Sequence, residues 1–245
     1  MSPAAQAILD ASRDEPADRD RRDLRTFGRR RGRKLSPHQQ RLMDEVLPRL
    51  RIDLDTRAPP GLAQLFTSPP DRVWLEIGFG GGEHLLWQAK ADLDVGLIGC
   101  EPFEDGVVKV LSVIDRERLG NIRLHPDDAR DLLRWLPAAT IDRAFVLFPD
   151  PWPKSRHRKR RLLQSDTIQD LARVLRPGAE LRLATDIGDY AVQMLAGVLG
   201  SGAFDWPVAT AADWRQRPDD WPPTRYEAKA LRDDRRCTYL RFQRR

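Results

Sequence analysis

The stretch VWLEIGFGGG, residues 73–82, decides the predicted fold of this 245-residue chain. Its first five residues are mostly apolar and predict a buried strand over 73–77. The glycines that follow permit a tight turn and a close approach of the backbone to a ligand. A helical pattern that begins at 83 completes a strand–turn–helix unit, which is the building block of α/β proteins.

The same alternation of short apolar strands and helical segments continues along the chain. Four further strands are predicted over 95–100, 121–125, 141–148 and 180–184, with helices over 83–89, 107–113, 128–136, 161–174 and 190–198. The segments 203–210 and 237–242 are predicted to form an antiparallel pair at one sheet edge. Because repeated strand–helix units build a parallel sheet with helices on both faces, we expect a doubly wound, mostly parallel α/β fold with an antiparallel C-terminal edge strand.

Residues 1–34 differ from the rest of the chain in composition. They are rich in Arg, Asp, Ala and Pro and contain few large apolar residues, which is typical of disordered segments. The basic cluster at 29–34 suits either nucleic-acid binding or solubility, and composition leaves both open. Ser36 and Pro37 then predict a helix start. We expect a disordered basic arm over 1–34 and a single domain over 35–245.

Composition also excludes several classes of protein. No apolar run reaches the roughly eighteen residues that span a bilayer, and the first residues are too polar for a signal peptide. Cys100 and Cys237 lack CxxC spacing, and the four histidines lack the spacing of zinc ligands. We therefore expect a cytoplasmic protein with no membrane partner and no metal. No interface stripe stands out, so a monomer is expected and a dimer is left open.

A second stretch, FPDPWPKSRHRKRR at 148–161, joins a proline-braced acidic corner to a cationic run. Prolines fix φ and remove backbone donors, so Asp150 is expected on stiff backbone. Six of the 42 Lys and Arg lie between Lys154 and Arg161, and without them the net charge of +5 would be −1. Such local basicity beside a carboxylate favours a site that acts on a polyanion, although charge runs are often only solvated surface.

Carboxylates lie at or just beyond the ends of the five predicted parallel strands. They are Glu76, Glu101, the pair Asp127 and Asp128, Asp150 and Asp186. A glycine-rich turn alone also suits NAD, but Glu76 would oppose a pyrophosphate at the helix N-terminus. Glu76 would instead attract a cationic ligand, such as the ammonium and sulfonium groups of S-adenosylmethionine. Glu101 is spaced to accept hydrogen bonds from ribose hydroxyls, and Asp128 is either an adenine contact or a helix N-cap.

Several motifs resemble those of the bacterial tRNA (guanine-N7-)-methyltransferases. They are RTFGRRRGRKLSPHQQ at 25–40, EIGFGGG at 76–82, GCEPF at 99–103, DDA at 127–129, FPDPWPKSRHRKRR at 148–161, LRLATD at 181–186 and TRYE at 224–227. The match at 148–161 is highly specific, whereas the glycine turn is generic. The resemblance implies a Rossmann-like class I methyltransferase fold and methyl transfer from S-adenosylmethionine to N7 of a tRNA guanosine, usually position 46 in the variable loop.

The resemblance also implies roles for individual residues. Asp150 is the expected catalytic residue. The expected cofactor contacts are Glu76, Gly78, Glu101, Asp128 and Asp150, and the expected substrate contacts are Lys154, Asp186, Thr224, Arg225, Tyr226 and Glu227. The expected RNA-binding run is Arg156, His157, Arg158, Lys159, Arg160 and Arg161.

Some of these assignments have rivals that the sequence leaves open. The T-x-x-E pattern at 224–227 is also a helix capping box, and Trp152 either stacks on an unpaired base or props the proline loop. A non-catalytic RNA-binding module would not explain Glu76 and Glu101. An NAD-linked oxidoreductase would explain neither Glu76 nor the arginine run. Guanine N7 keeps a free lone pair, so the expected reaction needs alignment and electrostatic stabilisation rather than a strong base.

Overall fold

A computed structural model describes residues 28, 30–32 and 34–245, and a seven-stranded sheet forms its centre. The strands are β1 (Arg72–Ile77), β2 (Val95–Cys100), β3 (Ile122–His125), β4 (Ile141–Leu147), β5 (Leu175–Thr185), β6 (Phe204–Asp205) and β7 (Thr238–Arg244). Their order across the sheet is β3-β2-β1-β4-β5-β7-β6. The first five strands pair in parallel, and β7 pairs antiparallel with both β5 and β6. The predicted doubly wound sheet with an antiparallel C-terminal edge is confirmed.

Helices connect the strands and cover both faces of the sheet. They are α1 (Pro37–Arg41), α2 (Leu47–Leu50), α3 (Glu83–Ala91), α4 (Glu104–Glu117), α5 (Ala129–Trp135), α6 (Ser165–Val174), α7 (Gly188–Gly200), α8 (Ala212–Arg215) and α9 (Arg225–Arg232). A π-helical turn, Leu42–Val46, joins α1 to α2, and short 3-10 helices span Leu62–Leu65 and Ser155–Arg160. Ser36 and Gln39 form a capping box at the start of α1, where the sequence predicts a helix start.

Alternation along β1 separates two hydrophobic clusters, one on each face of the sheet. Leu75 and Ile77 belong to the cluster that contains α5, α6 and α7, whereas Trp74 belongs to the cluster that contains α3 and α4. Successive side chains of a strand point to opposite faces, so Glu76 lies on the Trp74 side, towards α3. The direction of Glu76 matters for the site described below.

Several element boundaries differ from the sequence prediction, among them that of the strand predicted over 203–210, of which only Phe204–Asp205 forms β6. The helix predicted over 161–174 begins only at Ser165, and residues 155–160 form a 3-10 turn instead. Arg161 has ψ 140°, which lies outside the helical range, and its side chain donates to Gln193 and Asp189 of α7. Strand β5 begins at Leu175 rather than 180 and includes Gly178, whose φ of +81° favours glycine.

Most of the predicted N-terminal arm lies outside the described residues, so its disorder and the single domain over 35–245 stay predictions. Within the described part of the arm, the carbonyl of Arg30 accepts a hydrogen bond from the Glu104 N–H at 2.9 Å. The Arg30 guanidinium pairs with Asp127 at 2.6 Å. None of the helices in the described ranges is long and apolar enough to cross a membrane.

Candidate active site

A cavity of about 340 Å³ opens beyond the carboxyl ends of β1 to β4. Its walls include Gly78 and Gly80 after β1, Glu101 and Phe103 after β2, Asp128 after β3, Asp150 and Trp152 after β4, and Tyr226. The chain runs from β1 outwards to β3 on one side and to β4 on the other. This reversal of strand order is the switch point at which open α/β sheets bind ligands.

The glycine turn after β1 shapes one side of the cavity. Gly78 has φ +76°, and a Cβ on it would meet no atom within 4 Å, so its backbone faces open space. Gly82 has φ +82°, and a Cβ there would lie 2.2 Å from Val110 of α4. Glycine is therefore required at Gly82 both for its backbone conformation and for the packing of α3 against α4.

Backbone amides hold Glu101 at the edge of the cavity. The Gly80 N–H donates to its Oε2 at 2.7 Å and the Phe103 N–H to its Oε1 at 2.9 Å. Burial raises the pKa of Glu101, the two backbone hydrogen bonds oppose this rise, and the charge of Asp150 adds to it. Each carboxylate oxygen can accept a second hydrogen bond, so Glu101 can still bind a ligand hydroxyl.

Asp128 serves as a helix cap and also lines the cavity. Its Oδ1 accepts from the Arg130 N–H at 2.9 Å at the start of α5, and its Oδ2 pairs with the Arg130 guanidinium at 2.9 Å. The helix-cap alternative left open by the sequence is therefore confirmed. The predicted contact with adenine stays a proposal, which is compatible with the position of Asp128 in the cavity wall.

Asp150 lies on a loop with two unusual backbone conformations. Phe148 and Trp152, on either side of it, have φ of +52° and +39°. Left-handed conformations of such bulky residues cost on the order of 1–3 kcal/mol each and are concentrated at functional sites. Asp150 is exposed as a residue but lines the cavity together with Glu101, and partial desolvation there raises the pKa of its carboxyl. The loop therefore holds a carboxylate in a fixed position against the cavity.

Arg161 anchors this loop and is not available for RNA. Its side chain is 1% exposed, and it donates to the Pro151 carbonyl at 2.7 Å, to Gln193 at 2.7 Å and to Asp189 at 2.8 Å. Its guanidinium also lies 4.5 Å from the centre of the Tyr190 ring. Because all three nitrogens of Arg161 contact protein acceptors, the structure contradicts the prediction that Arg161 binds RNA.

The rest of the cationic run lies on the surface beside the cavity. Lys154, Arg156 and Lys159 are exposed, and no carboxylate in the described part of the chain forms an ion pair with them. Arg158 pairs with Asp189 at 3.0 Å but is half exposed. Desolvation and the neighbouring cations lower the pKa of His157, so the charge of this run comes from its lysines and arginines.

Trp152 packs against this cationic run and lines the cavity. The guanidinium of Arg160 lies 5.0 Å from the centre of the Trp152 ring, and the ring of His157 meets it edge-on at 5.9 Å. These contacts support the alternative that Trp152 stabilises the proline loop, since the tryptophan connects the acidic corner to the basic turn. Stacking of Trp152 on a base stays a prediction.

Glu76 does not line the main cavity. It lines a smaller adjoining hollow with His84 and Thr224, and the two hollows share Gly78, Phe148 and Tyr226. Sequence analysis predicted Glu76 and Glu101 around one cofactor. Because Glu76 faces α3, the structure places the two carboxylates in neighbouring hollows, and a ligand that contacts both must extend past Gly78.

The predicted substrate motif at 224–227 forms a helix cap. Thr224 and Glu227 make the capping box of α9. Glu227 is 5% exposed, and its Oε1 accepts from the Tyr239 hydroxyl at 2.5 Å and from Arg217 at 3.0 Å. Tyr226 is 44% exposed and lines both hollows. The capping box is confirmed for Thr224 and Glu227, and their contact with substrate stays a prediction. Tyr226 is the residue of this motif best placed to meet a ligand.

The remaining predicted substrate residues lie at the margins of the site. Asp186 follows β5, forms an ion pair with Arg235 at 2.8 Å and lines neither hollow. Arg225 pairs with Glu83 at 3.5 Å. Lys154 lies on the surface just before the 3-10 turn. Contact of these three residues with substrate stays a proposal.

Sequence reasoning missed two polar residues near the site. Arg130 lines the cavity and neutralises Asp128, and His84 contacts Glu76 from α3 at 2.7 Å. The sequence did contain a signal for His84. The apolar spacing of α3 predicts which face of the helix is buried, and His84, eight residues after Glu76, lies on that face against the strand. Among the described residues, no group of three His, Cys, Asp or Glu could hold a metal ion.

Comparisons with known proteins show which family the chain is similar to. A family model described as "Putative methyltransferase" matches residues 70–240. The tRNA (guanine-N(7)-)-methyltransferase of Rhodospirillum rubrum is 49% identical over 229 residues, covering 91% of this chain and 89% of the relative. The protein of the same name from Bradyrhizobium diazoefficiens is 44% identical over 234 residues, covering 96% and 99% of the two chains.

Solved structures support the fold. The 16S rRNA methyltransferase KamB superposes with a TM-score of 0.53 at 16% identity, covering 77% of this chain and 95% of KamB. At this identity the likeness shows a class I methyltransferase fold alone. The extent of the family match and the identity to curated relatives show that this chain belongs to the tRNA (guanine-N7-)-methyltransferase family.

Proposed function

We propose that this chain transfers a methyl group from S-adenosylmethionine to N7 of a guanosine in tRNA, at position 46 of the variable loop. The observation that carries this proposal is the position of Asp150. It lies on a constrained loop between a cavity that also contains Glu101 and a surface run of cations. The family membership reported above supports the same reaction.

The residues of the two hollows suit S-adenosylmethionine. Glu101 would accept hydrogen bonds from the ribose hydroxyls, and Asp128 would accept one from the adenine amino group. The Gly78 backbone leaves space between the two hollows for the ligand to pass. Glu76 would then bind the ammonium group at the smaller hollow, whose volume of about 10 Å³ is close to that of one water-sized group. An NAD pyrophosphate would meet these carboxylates instead, which opposes the oxidoreductase alternative.

Asp150 is the proposed catalytic residue. When bound, S-adenosylmethionine supplies an electrophilic methyl group on a cationic sulfur. Guanine N7 has a free lone pair, so no residue of the chain needs to remove a proton from it. The guanine ring gains positive charge during transfer, and the Asp150 carboxylate would orient the ring and stabilise this charge.

The cationic run would hold the tRNA backbone beside the cavity. Exposed cations without carboxylate partners can neutralise phosphates, so tRNA affinity should fall steeply with salt. Double charge reversal of Arg156 and Lys159 to Glu should weaken tRNA binding and leave S-adenosylmethionine binding unchanged. Reversal of Arg57, an exposed arginine in the connector before β1, is the matched control. A cytoplasmic location, expected from the sequence, fits a tRNA substrate and stays part of the proposal.

The test is methyl transfer from labelled S-adenosylmethionine to two tRNA transcripts that differ only at the variable-loop guanosine. We expect label on the transcript with guanosine and none on the transcript with adenosine at that position. Equal labelling of both would contradict the proposed position. If the chain binds tRNA but calorimetry detects no heat with S-adenosylmethionine, the alternative of a non-catalytic RNA-binding module is correct.

A further inference from the structure

A buried chain of hydrogen bonds lies beneath the glycine turn. His84 Nδ1 is 2.7 Å from Glu76 Oε2, and His84 Nε2 is 3.1 Å from the amide nitrogen of Gln88. All three side chains are at most 4% exposed. His84 and Gln88 lie one turn apart on α3, whereas Glu76 comes from the end of β1.

The orientation of the Gln88 amide is determined by a backbone group. Its nitrogen donates to the carbonyl oxygen of Asp220 at 3.2 Å, and a carbonyl oxygen can only accept. A flipped amide would place two oxygens against each other. The loop that carries this carbonyl is held in turn, because the Asp220 carboxylate pairs with Arg182 at 2.8 Å.

This orientation determines which nitrogen of His84 carries the proton. The Gln88 amide nitrogen has no lone pair to offer, so His84 Nε2 must accept from it. The proton therefore lies on Nδ1, and His84 donates it to Glu76 Oε2. A second proton on Nε2 would point at the Gln88 NH₂ group. The surrounding rings of Phe145 and Trp221 offer no better acceptor in its place.

The same arrangement leaves one oxygen of Glu76 for a ligand. Oε2 is taken by His84, and within the described ranges Oε1 accepts no hydrogen bond. Glu76 and His84 both line the smaller hollow. A neutral imidazole donor orients the carboxylate without cancelling its negative charge.

We propose that Gln88 and His84 are positioning residues for the methyl donor. Gln88 fixes the Nδ1–H tautomer of His84, and His84 aims Glu76 Oε1 at the cationic amino end of S-adenosylmethionine. This inference rests on the proposed function, and it adds two residues and a protonation pattern to that site.

The first test measures the tautomer directly in the full chain. Long-range ¹H–¹⁵N correlation spectra of the imidazole side chains, assigned by comparison with His84→Asn, should show the Nδ1–H form for His84. Gln88→Glu, which offers an acceptor to Nε2, should shift His84 away from this form. The Nε2–H tautomer in the wild type would overturn the inference whether or not the chain is a methyltransferase.

The second test measures S-adenosylmethionine binding by calorimetry. His84→Asn keeps a donor near the position of Nδ1 and should stay within about threefold of the wild-type Kd. His84→Leu removes the donor and should weaken binding about 10- to 100-fold, as expected for a hydrogen bond to a charged group. Circular dichroism and melting temperature confirm that both variants fold.

The outcomes separate positioning from simple packing. If folded His84→Leu binds S-adenosylmethionine like the wild type, or if folded His84→Asn is as weak as His84→Leu, the inference is overturned. The tRNA affinity of all variants should equal that of the wild type. If the wild type itself does not bind S-adenosylmethionine, the proposed function and the ligand part of this inference are both refuted. The spectra would still decide the tautomer of His84.

Discussion

Substitution of Arg161 by methionine should destabilise the protein far more than its place in a cationic run suggests. The methionine keeps the apolar contact with Tyr190 but removes three hydrogen bonds. Bonds to charged groups contribute about 1.5–3 kcal/mol each. The bond to Asp189 is discounted, because Asp189 is 40% exposed and also pairs with Arg158. The two part-buried bonds, to Pro151 and Gln193, give an expected loss of about 3–6 kcal/mol.

Urea unfolding and thermal melting measure this loss. For a chain of this size the melting temperature should fall by roughly 6–24 °C. Because Arg161 holds the Pro151 carbonyl, S-adenosylmethionine affinity and turnover should fall as well. Arg158→Met is the matched control, since Arg158 is half exposed in the same run and its surface ion pair contributes about 0–1 kcal/mol.

The two variants should therefore lose different properties. Arg158→Met should weaken tRNA binding with nearly unchanged stability, whereas Arg161→Met should lose stability first. If Arg161→Met melts at the wild-type temperature and loses only tRNA affinity, Arg161 is an RNA contact after all, and the anchoring argument is refuted.

Three further predictions concern the cavity. Asp150→Asn should lower the rate of single-turnover methyl transfer about 10²–10³-fold. Calorimetry should show a much smaller change in S-adenosylmethionine affinity, and equal losses in rate and affinity would contradict the catalytic role of Asp150. Burial of Glu101 and partial desolvation of Asp150 raise the pKa values of these groups above their ordinary 4.5 and 3.8. As pH decreases, S-adenosylmethionine affinity should therefore begin to fall at a higher pH than the ordinary values predict, and calorimetry at several pH values measures this fall. The same raised pKa values mean that the folded state holds these protons more tightly, so the contribution of the two groups to stability declines as pH rises through them. Gly106→Ala would place a Cβ 2.2 Å from the Gly80 carbonyl oxygen, so it should lower the free energy of unfolding in urea by about 1–3 kcal/mol. In the control Gly120→Ala, the Cβ would meet no atom within 4 Å, and the loss should be far smaller.

The fold could be predicted because its signals are local. Each parallel strand is a short apolar run followed by a helical pattern, and β2 is buried at every position, as a central strand should be. Glu101 and Asp150 could be placed at the cavity for the same reason, since the ends of parallel strands meet at one edge. The boundaries that failed, at Ser165 and Leu175, depend on contacts between distant parts of the chain.

The roles of individual charged residues were harder to predict. Arg161 looks like its neighbours in the sequence, and only its contacts with Gln193 and Asp189, 32 and 28 residues away, show that it is buried. The direction of Glu76 follows from strand alternation, but its pairing with His84 depends on how α3 packs on the sheet. The sequence pattern could identify charged groups near the site without showing which of them face the ligand.

Identification of the methylated nucleoside is the decisive test of the proposed methyl transfer. Purified chain, S-adenosylmethionine and a tRNA transcript are incubated, and the tRNA is digested and analysed by mass spectrometry against methylguanosine standards. We expect 7-methylguanosine with the wild type and almost none with Asp150→Asn. A methyl group on another atom of guanosine, or on another nucleoside, would contradict the proposed transfer.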